Sequence, residues 1–264
     1  MPLMKAGRET WLHRVNPSFK LLLSVVIFVI VLLTHNINVL IHVTWMYVLL
    51  LFLASGQPVR RLMLIMLPFV IMFVSSATSM VFFGQGETTW FRYGLVHITE
   101  ESFFRGMHIG FKTIDMALIG LLFGLTTNPV FLFYSLMQQL RLPPRYAYSF
   151  MAAIRLIPIA AAEYRTLRSA FLVRGVRMPR GLRGVLDSVK RYAIPLLAQS
   201  IRRAQRIAVA MEAKRFSGSG ARTFYYRIGW SGNDAALVAL MACIWCAALV
   251  FATQLPHFSM TDVR

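Results

Sequence analysis

Long apolar runs separated by polar segments dominate the hydrophobic pattern of this chain. A helix needs about 20 residues to cross a hydrocarbon core of about 30 Å. Four runs have the length and apolarity of a membrane span, although the first is short without its flanks, and a fifth lies near the end. They are Phe19–Thr34, Asn38–Ala54, Leu62–Phe83, Met107–Leu125 and Ala235–Leu255. The pattern predicts an all-α polytopic membrane protein with about five transmembrane helices.

The composition is typical of a membrane protein, and this affects how the net charge of the chain is interpreted. Hydrophobic residues make up 57% of the chain and charged residues only 14%, whereas charged residues are about a quarter of a soluble domain. The net charge is +18. In a soluble protein this would suggest nucleic acid as a partner, but cytoplasmic loops of membrane proteins also collect Lys and Arg. We therefore expect membrane lipid, and no nucleic acid, as a partner.

The positions of the basic residues predict the orientation of the chain in the membrane. Basic residues precede the first run and separate the second from the third, whereas the short segment THNIN between the first and second has none. The loop between the third and fourth runs contains Glu87, Glu100 and Glu101. The positive-inside rule then places the N-terminus in the cytoplasm and the C-terminus outside. The basic residues used are Lys5, Arg8, Arg14, Lys20, Arg60 and Arg61.

This orientation predicts three regions, with residues 1–125 holding four spans, 126–232 forming a cytoplasmic domain, and 233–264 holding the last span and a short external tail. Insertion of the apolar segment Tyr146–Ala162 into the bilayer is an alternative for part of the second region. Between Arg155 and Arg222 the chain has fifteen Lys or Arg residues and only three acidic ones, Glu163, Asp187 and Glu212. Most of the net charge is therefore in one long segment. The positive-inside rule alone can account for it, but a loop of this length exceeds what orientation requires.

Two amphipathic cationic helices are predicted within the basic domain. Both have an apolar stripe and several cations opposite it. In the first, Tyr164, Leu167, Ala170 and Phe171 share a face, opposite Arg165 and Arg168; in the second, Ile201, Ala204, Ala208 and Met211 share a face, opposite Arg202, Arg203, Arg206 and Lys214. Such helices fit a membrane surface or a partner protein.

Each of these helices ends with an arginine at the edge of its apolar stripe. Arg174 lies seven residues after Leu167, and Arg215 lies four after Met211. Gly175 is placed to end the first helix in a left-handed cap. A carboxylate on a partner would satisfy the planar donors of such an arginine, although a snorkelling or solvated side chain is the alternative for each one.

The motifs of several enzyme classes are absent from the sequence. It has no G-x-x-x-x-G-K-[S/T] loop, no H-E-x-x-H and no G-x-S-x-G. Cys243 and Cys246 have C-x-x-C spacing within an apolar run, and we interpret them as packing or lipid-facing residues rather than metal ligands. Lys112 and Asp115 lie three apart within the fourth run, where mutual pairing or a substrate path would explain them.

The chain resembles the transmembrane (T) component of energy-coupling factor transporters over nearly its whole length. The similar segments are WLHRVNPSFKLLL, TTNP, LRLPPRYAYSFMAAIRLIPIAAAEYRTLRSAFLVRG and PLLAQSIRRAQRIAVAMEAKRF. The resemblance implies a non-catalytic subunit of an ATP-driven importer for a vitamin, a vitamin precursor or a transition metal. Its implied partners are two ABC ATPase subunits, which would bind ATP and Mg, and a small substrate-binding membrane subunit. The chain itself would bind no cofactor or metal.

The resemblance also assigns the two helix ends. Members of this family have two short Ala-Arg-Gly motifs at the ends of two cytoplasmic coupling helices, and the arginine engages a groove on each ATPase. The first motif corresponds here to Val173, Arg174 and Gly175. The second corresponds to Ala213, Lys214 and Arg215, so a lysine replaces the arginine; we favour Arg215 for that role because of its place at the stripe edge. Supporting residues would be Arg165, Arg168, Arg202, Arg203, Arg206 and Glu212.

Two other classes of function stay open at this point. A membrane-embedded enzyme acting on anionic lipid head groups could use the basic region, although few carboxylates are available there. A conventional permease would bind the substrate itself within its membrane spans.

Overall fold

The computed structural model describes residues 10–84, 88–93, 96–176, 181–216, 223–255 and 258. Within these residues the chain forms a short 3-10 helix, Trp11–Arg14, eight α-helices and one two-stranded sheet. The helices are α1 Pro17–Leu33, α2 Ile37–Ala54, α3 Val59–Phe83, α4 Glu100–Thr126, α5 Pro129–Gln139, α6 Pro144–Val173, α7 Leu182–Ala213 and α8 Gly232–Gln254; the strands are β1 Thr89–Tyr93 and β2 Val96–Thr99. The fold is all-α and polytopic. Lys5, Arg8 and Glu87 lie outside the described residues.

The chain divides into two compact units. One contains residues 2–135 and 228–264, and the other contains residues 136–227. The sequence placed the corresponding boundaries at 126 and 232. The first part of α5 belongs to the unit of the apolar helices because the Ser135 hydroxyl donates to Asn16 Oδ1 at 2.6 Å. The N-terminus of α5 is capped by Asn128, whose side chain accepts from the Val130 N–H at 3.0 Å.

Four of the described helices, α2, α3, α4 and α8, are long and apolar enough to cross a membrane. Helix α1 is apolar but has only 17 residues, in agreement with the short first run. Helix α4 packs against α1, α2 and α3, and α2 also packs against α8. Fully buried side chains such as Leu40, Leu51 and Leu118 fill the space between these helices.

Two glycines let α4 approach α3 closely. A methyl group at Gly106 would lie 2.8 Å from the Ala77 carbonyl oxygen, and one at Gly110 would lie 2.9 Å from the Phe73 ring. The two glycines are four residues apart and therefore lie on one face of α4. Small residues at this spacing allow membrane helices to pack backbone against backbone.

A β-hairpin, which was not predicted from the hydrophobic pattern, connects α3 to α4. Strands β1 and β2 are antiparallel, with Thr89 opposite Thr99 and Tyr93 opposite Val96. Aromatic and β-branched residues, which favour strands, dominate this part of the loop. Thr99 then caps α4, accepting at its hydroxyl from the Ser102 N–H at 3.1 Å.

Mutual pairing of Lys112 and Asp115 was the wrong explanation for these residues. The Lys112 Nζ donates to the Leu32 carbonyl oxygen at 2.8 Å, on the neighbouring helix α1. Asp115 is fully buried, and its Oδ1 accepts from the Thr44 hydroxyl of α2 at 2.6 Å. Contacts to neighbouring helices thus replace contacts along α4, because these helices pack closely around it.

A buried polar cluster joins the starts of α1 and α8. Asn16 caps α1, where its side chain accepts from the Ser18 N–H at 3.3 Å. The Asn16 N–H donates to Asp234 Oδ1 at 2.8 Å, and the Ser231 N–H donates to Asp234 Oδ2 at the same distance. One carboxylate therefore satisfies backbone donors at both helix starts, a position that also favours negative charge.

Lys20 is a second anchor in the same unit. It is only 3% exposed, and its Nζ donates to the carbonyl oxygens of Leu12 and Thr126 at 2.7 and 3.2 Å. Thr126 is the last residue of α4, where carbonyl groups lack helical donors and a cation is favoured. Lys20 thus ties α1 to the preceding 3-10 helix and to the end of α4.

In the second unit, α6 and α7 form an antiparallel helical hairpin. The Tyr192 ring of α7 lies 4.9 Å from the Tyr164 ring and 5.4 Å from the Phe171 ring of α6. At the other end, the rings of Tyr148 and Phe216 are 5.5 Å apart. Helix α6 begins at Pro144 and contains Pro158, and α7 contains Pro195. The sequence left open whether Pro158 kinks or ends its helix, and in the structure it does not end it.

Candidate functional site

Helix α6 ends in a Schellman motif centred on Gly175. The Val176 N–H donates to the Phe171 carbonyl oxygen at 3.1 Å, and the Gly175 N–H donates to that of Leu172 at 3.0 Å. Gly175 has φ +66°, a left-handed conformation in which glycine has no Cβ penalty. The predicted left-handed cap at this residue is confirmed.

Helix α7 ends with the same hydrogen bonds. The Phe216 N–H donates to the Met211 carbonyl oxygen at 2.9 Å, and the Arg215 N–H donates to that of Glu212 at 2.8 Å. Arg215 has φ +53°, so it holds the left-handed position without being a glycine. A left-handed conformation costs a non-glycine residue roughly 1–2 kcal/mol.

The residues at the ends of α6 and α7 correspond to each other one by one. Arg174 and Lys214 are the C-cap residues, and Gly175 and Arg215 are the left-handed residues that follow. An apolar residue follows each left-handed residue, as the motif favours. The helix-end geometry therefore makes Lys214, rather than Arg215, the counterpart of Arg174. The sequence favoured Arg215 because a helical wheel continues past the point where the real helix ends.

The charged side chains at both ends are exposed. The side chains of Arg174, Lys214 and Arg215 make no hydrogen bond or ion pair with any other residue that the structure describes. Val173, just before Arg174, is 89% exposed, and Ala213, just before Lys214, is also exposed. Each end thus presents an apolar residue followed by a cation, a combination suited to a partner that offers a carboxylate beside apolar surface.

The two ends lie at opposite ends of the helical hairpin. Phe171 packs against Tyr192 near the start of α7, and Phe216 packs against Tyr148 near the start of α6. From Tyr148 to Phe171, helix α6 rises about 35 Å at 1.5 Å per residue. One helical hairpin thus carries two similar cationic ends separated by roughly the length of a small domain.

An ion pair joins the hairpin between these ends. The Arg203 guanidinium donates to Glu163 Oε1, and Gln199 Nε2 donates to the same oxygen at 3.4 Å. The sequence placed Arg203 on the outer, polar face of its helix, but the structure places it facing α6. The role of Glu163 was missed; the signal available was its rarity, since it is one of three acidic residues in the basic segment.

The other residues expected to support the helices lie on exposed surfaces of α6 and α7. The structure does not gather them into one cluster: Arg165 and Arg168 are exposed on α6, and Arg202, Arg206 and Glu212 on α7. The predicted α7 stripe is exposed too, because Ile201 lies outward while Tyr192 and Arg203 face α6. Ile194, Leu197 and Val209 continue the exposed apolar surface.

Cys243 and Cys246 are exposed on α8.

Comparisons with known proteins agree with this architecture. A profile of the cobalt transport protein family, CbiQ, matches residues 8–226, which include both helix ends. The energy-coupling factor transporter transmembrane protein EcfT of Streptococcus thermophilus is 28% identical over 246 residues, which cover 89% of this chain and 92% of that protein.

Two further proteins of the same name give similar matches. EcfT of Lactococcus lactis is 26% identical over 239 residues, covering 87% of this chain and 89% of the relative. EcfT of Macrococcus caseolyticus is 24% identical over 234 residues, covering 86% and 88%. With the family profile matched over most of its length, the chain belongs to the CbiQ family and is an EcfT-like membrane subunit of an energy-coupling transporter.

Proposed function

We propose that this chain couples the motion of two ABC ATPase subunits to transport by a separate substrate-binding membrane subunit. The observation that carries the proposal is the pair of matched helix ends, each with an exposed cation at its C-cap. Arg174 docks into a groove on one ATPase, and Lys214 docks into the corresponding groove on the other. ATP and Mg bind to the ATPases, because this sequence has no phosphate-binding loop.

The two docking contacts differ in chemistry. Arg174 offers a planar fork of donors that can bind a carboxylate with two parallel hydrogen bonds, whereas Lys214 offers a compact point charge. Val173 and Ala213 contribute the apolar part of each contact, and Gly175 and Arg215 set the turn that exposes the cation.

The hairpin transmits displacement from one docking end to the other. Ring contacts at Tyr192 and Phe216 and the Arg203–Glu163 ion pair fasten α6 to α7 at three levels along their length. When nucleotide turnover changes the separation of the ATPases, α6 and α7 are displaced with them. The exposed apolar side chains of α7, such as Ile201 and Leu197, face the substrate-binding subunit and pass the displacement on.

The substrate is bound by that second membrane subunit. A cavity among α1, α2, α4 and α8, lined by Lys20, Tyr47, Leu118 and Met241 among others, has a volume of about 20 Å³. This is space for about one water molecule, too little for a vitamin. The name of the matching family, cobalt transport protein, suits a transition metal as the transported species. A vitamin or a vitamin precursor is the other expectation from the resemblance.

The basic unit and the N-terminus lie in the cytoplasm in this proposal. Most of the positive charge of the chain falls between Arg155 and Arg222, and the positive-inside rule retains such segments on the cytoplasmic side. The ATPases also need cytoplasmic ATP. The membrane is the plasma membrane of a prokaryotic cell, where lipid surrounds the apolar helices.

Co-purification with the ATPase subunits encoded beside this chain tests the proposal. The full-length chain carries an affinity tag, and the retained ATPase is quantified for the wild type, Arg174→Glu, Lys214→Glu/Arg215→Glu and the combination of all three changes. Arg155→Glu and Arg227→Glu are matched controls, because they reverse exposed charges of the same unit that belong neither to the two helix ends nor to the expected supporting residues.

We expect each end variant to retain less ATPase and the combined variant to retain none, while the controls bind like wild type. If the combined variant still binds the ATPases as wild type does, the helix ends are not the docking sites. Equal losses in the control variants would mean that net charge, and not the two ends, governs binding.

A further inference from the structure

The two helix ends share one backbone geometry but present different charges. At the end of α6, the cation Arg174 is followed by Gly175, which has no side chain. At the end of α7, the cation Lys214 is followed by the second cation Arg215. The hydrogen bonds of the two turns match within 0.2 Å. The difference therefore lies in the side chains alone.

The backbone conformation of Arg215 shows that an arginine at this position lowers the folding stability of the free chain. Its φ of +53° falls in the left-handed region, where glycine is the usual residue at a helix end. Glycine fills the same position at Gly175. Within the described residues, the Arg215 side chain has no hydrogen bond or ion pair that would stabilise this conformation. Backbone strain of this kind is often retained at functional sites. Arg141, after the end of α5, has the same φ of +53°, so Arg215 is distinguished by its place beside Lys214 as well as by its strain.

We propose that Arg215 is a second docking cation, which contacts a carboxylate that is present in the ATPase groove for the α7 end and absent from the groove for the α6 end. The inference rests on the proposed function and adds the chemistry of the partner. The two ATPase domains then differ from each other at these grooves, whether they lie on one chain or on two.

The side-chain chemistry explains why a second cation is needed at this end. Lys214 replaces a two-pronged guanidinium contact by a single point charge, which a carboxylate holds less specifically. A guanidinium at the next position restores a planar donor group and adds a charge. Two adjacent cations need two acidic groups for full pairing, because a desolvated cation without a partner is costly. Arg174 alone needs one.

The test measures the affinity of the α7 end in isolation. All variants carry Arg174→Ala, which removes the docking cation at the other end, and binding of the purified ATPase subunits encoded beside this chain is measured at several NaCl concentrations. Arg215→Gly is compared with Arg215→Lys, which keeps the charge, and with Arg215→Asn, which removes the charge but tolerates the left-handed conformation. Thermal stability of each variant is recorded in the same detergent.

We expect Arg215→Gly and Arg215→Asn to weaken binding about tenfold and to reduce its salt dependence, as loss of an interfacial charge pair does. Arg215→Lys should keep most of the affinity. Arg215→Gly should also raise thermal stability, so that stability and binding change in opposite directions. A purely structural role for Arg215 would not produce that combination.

Two results would overturn the inference in different ways. Lys214→Glu in the same Arg174→Ala background is measured beside these variants. If it abolishes binding but Arg215→Gly leaves affinity and salt dependence unchanged, Arg215 is not a docking cation, while the proposed function stands. The inference fails in the same way if the two grooves carry identical acidic residues. If the otherwise unaltered chain binds no ATPase at all, both the proposed function and this inference fail.

Discussion

Glu163 of α6 accepts a hydrogen bond from the guanidinium of Arg203 of α7, and the two side chains are only 17% and 24% exposed. The Glu163 position lies between the ring contacts at the two ends of the hairpin. Together, Glu163 and Arg203 form an ion pair. Because water is partly excluded, this pair holds the two helices more firmly than an exposed surface pair would.

Removing either partner of this ion pair should destabilise the hairpin. Glu163→Gln, Arg203→Gln and the double variant form a double-mutant cycle, for which we expect a coupling free energy of about 1 kcal/mol. Apparent melting temperatures in detergent provide the measurement. Arg206→Gln is the matched control, since Arg206 is exposed on the same helix and its loss should change stability little. A coupling of zero, or an equal effect of the control, would contradict the assigned pairing.

Arg215→Gly should stabilise the isolated chain by about 1 kcal/mol, because glycine removes the strain of the left-handed conformation. The reciprocal change, Gly175→Ala, should destabilise it by a similar amount. A methyl group at Gly175 meets no atom within 4 Å, so the cost there is conformational and not steric. Thermal unfolding in detergent measures both changes. Opposite signs for the two variants support the matched geometry, and equal signs would refute it.

The sequence predicted the membrane helices and the two cationic helices, because both depend on local patterns. Apolar length identified the spans, and helical periodicity identified the faces around Leu167 and Phe171. The first helix end could also be predicted, since Gly175 is the usual residue of a left-handed cap. Amphipathic helices can be predicted in this way because their apolar residues recur in the sequence with a period of about 3.6.

Contacts between residues of different helices could not be predicted from the sequence. The partner of Arg203 is forty positions away, and no local pattern joins it to Glu163. Lys112 and Asp115 are suitably spaced for each other, yet each bonds to a different neighbouring helix. The end of α7 was not predicted because arginine, and not the usual glycine, occupies the left-handed position that follows the helix. In each case tertiary contacts or an unusual backbone conformation overrode the local pattern.

Lys20→Met should destabilise the membrane unit by about 2 kcal/mol, because it leaves the buried carbonyl oxygens of Leu12 and Thr126 without their donor. Methionine retains much of the length of the side chain, so packing changes little. Ser24→Ala is the control, since the Ser24 hydroxyl bonds to the Lys20 carbonyl within one helical turn. Thermal aggregation of the purified chain in detergent measures both variants. Equal stability of Lys20→Met and Ser24→Ala would show that the Lys20 contacts contribute nothing.

Because α3 and α4 are in close contact, replacing a glycine of α4 by alanine should change stability by an amount that depends on the position of the glycine. Gly106→Ala places a methyl group 2.8 Å from the Ala77 carbonyl oxygen and 2.6 Å from Val81 Cγ2. Backbone atoms cannot yield as a flexible side chain can, so the helices must separate. Overpacking of this kind typically costs about 1–3 kcal/mol.

Gly120→Ala on the same helix is the matched control, because a methyl group there meets no atom within 4 Å. Alanine also has the higher helix propensity, by about 1 kcal/mol in an exposed helix. We therefore expect Gly106→Ala to lower the apparent melting temperature and Gly120→Ala to leave it unchanged or raise it. Both variants add the same methyl group to the same helix, so lipid solvation and composition cannot explain a difference in sign. Equal melting temperatures would mean that α3 and α4 are not in contact at Gly106.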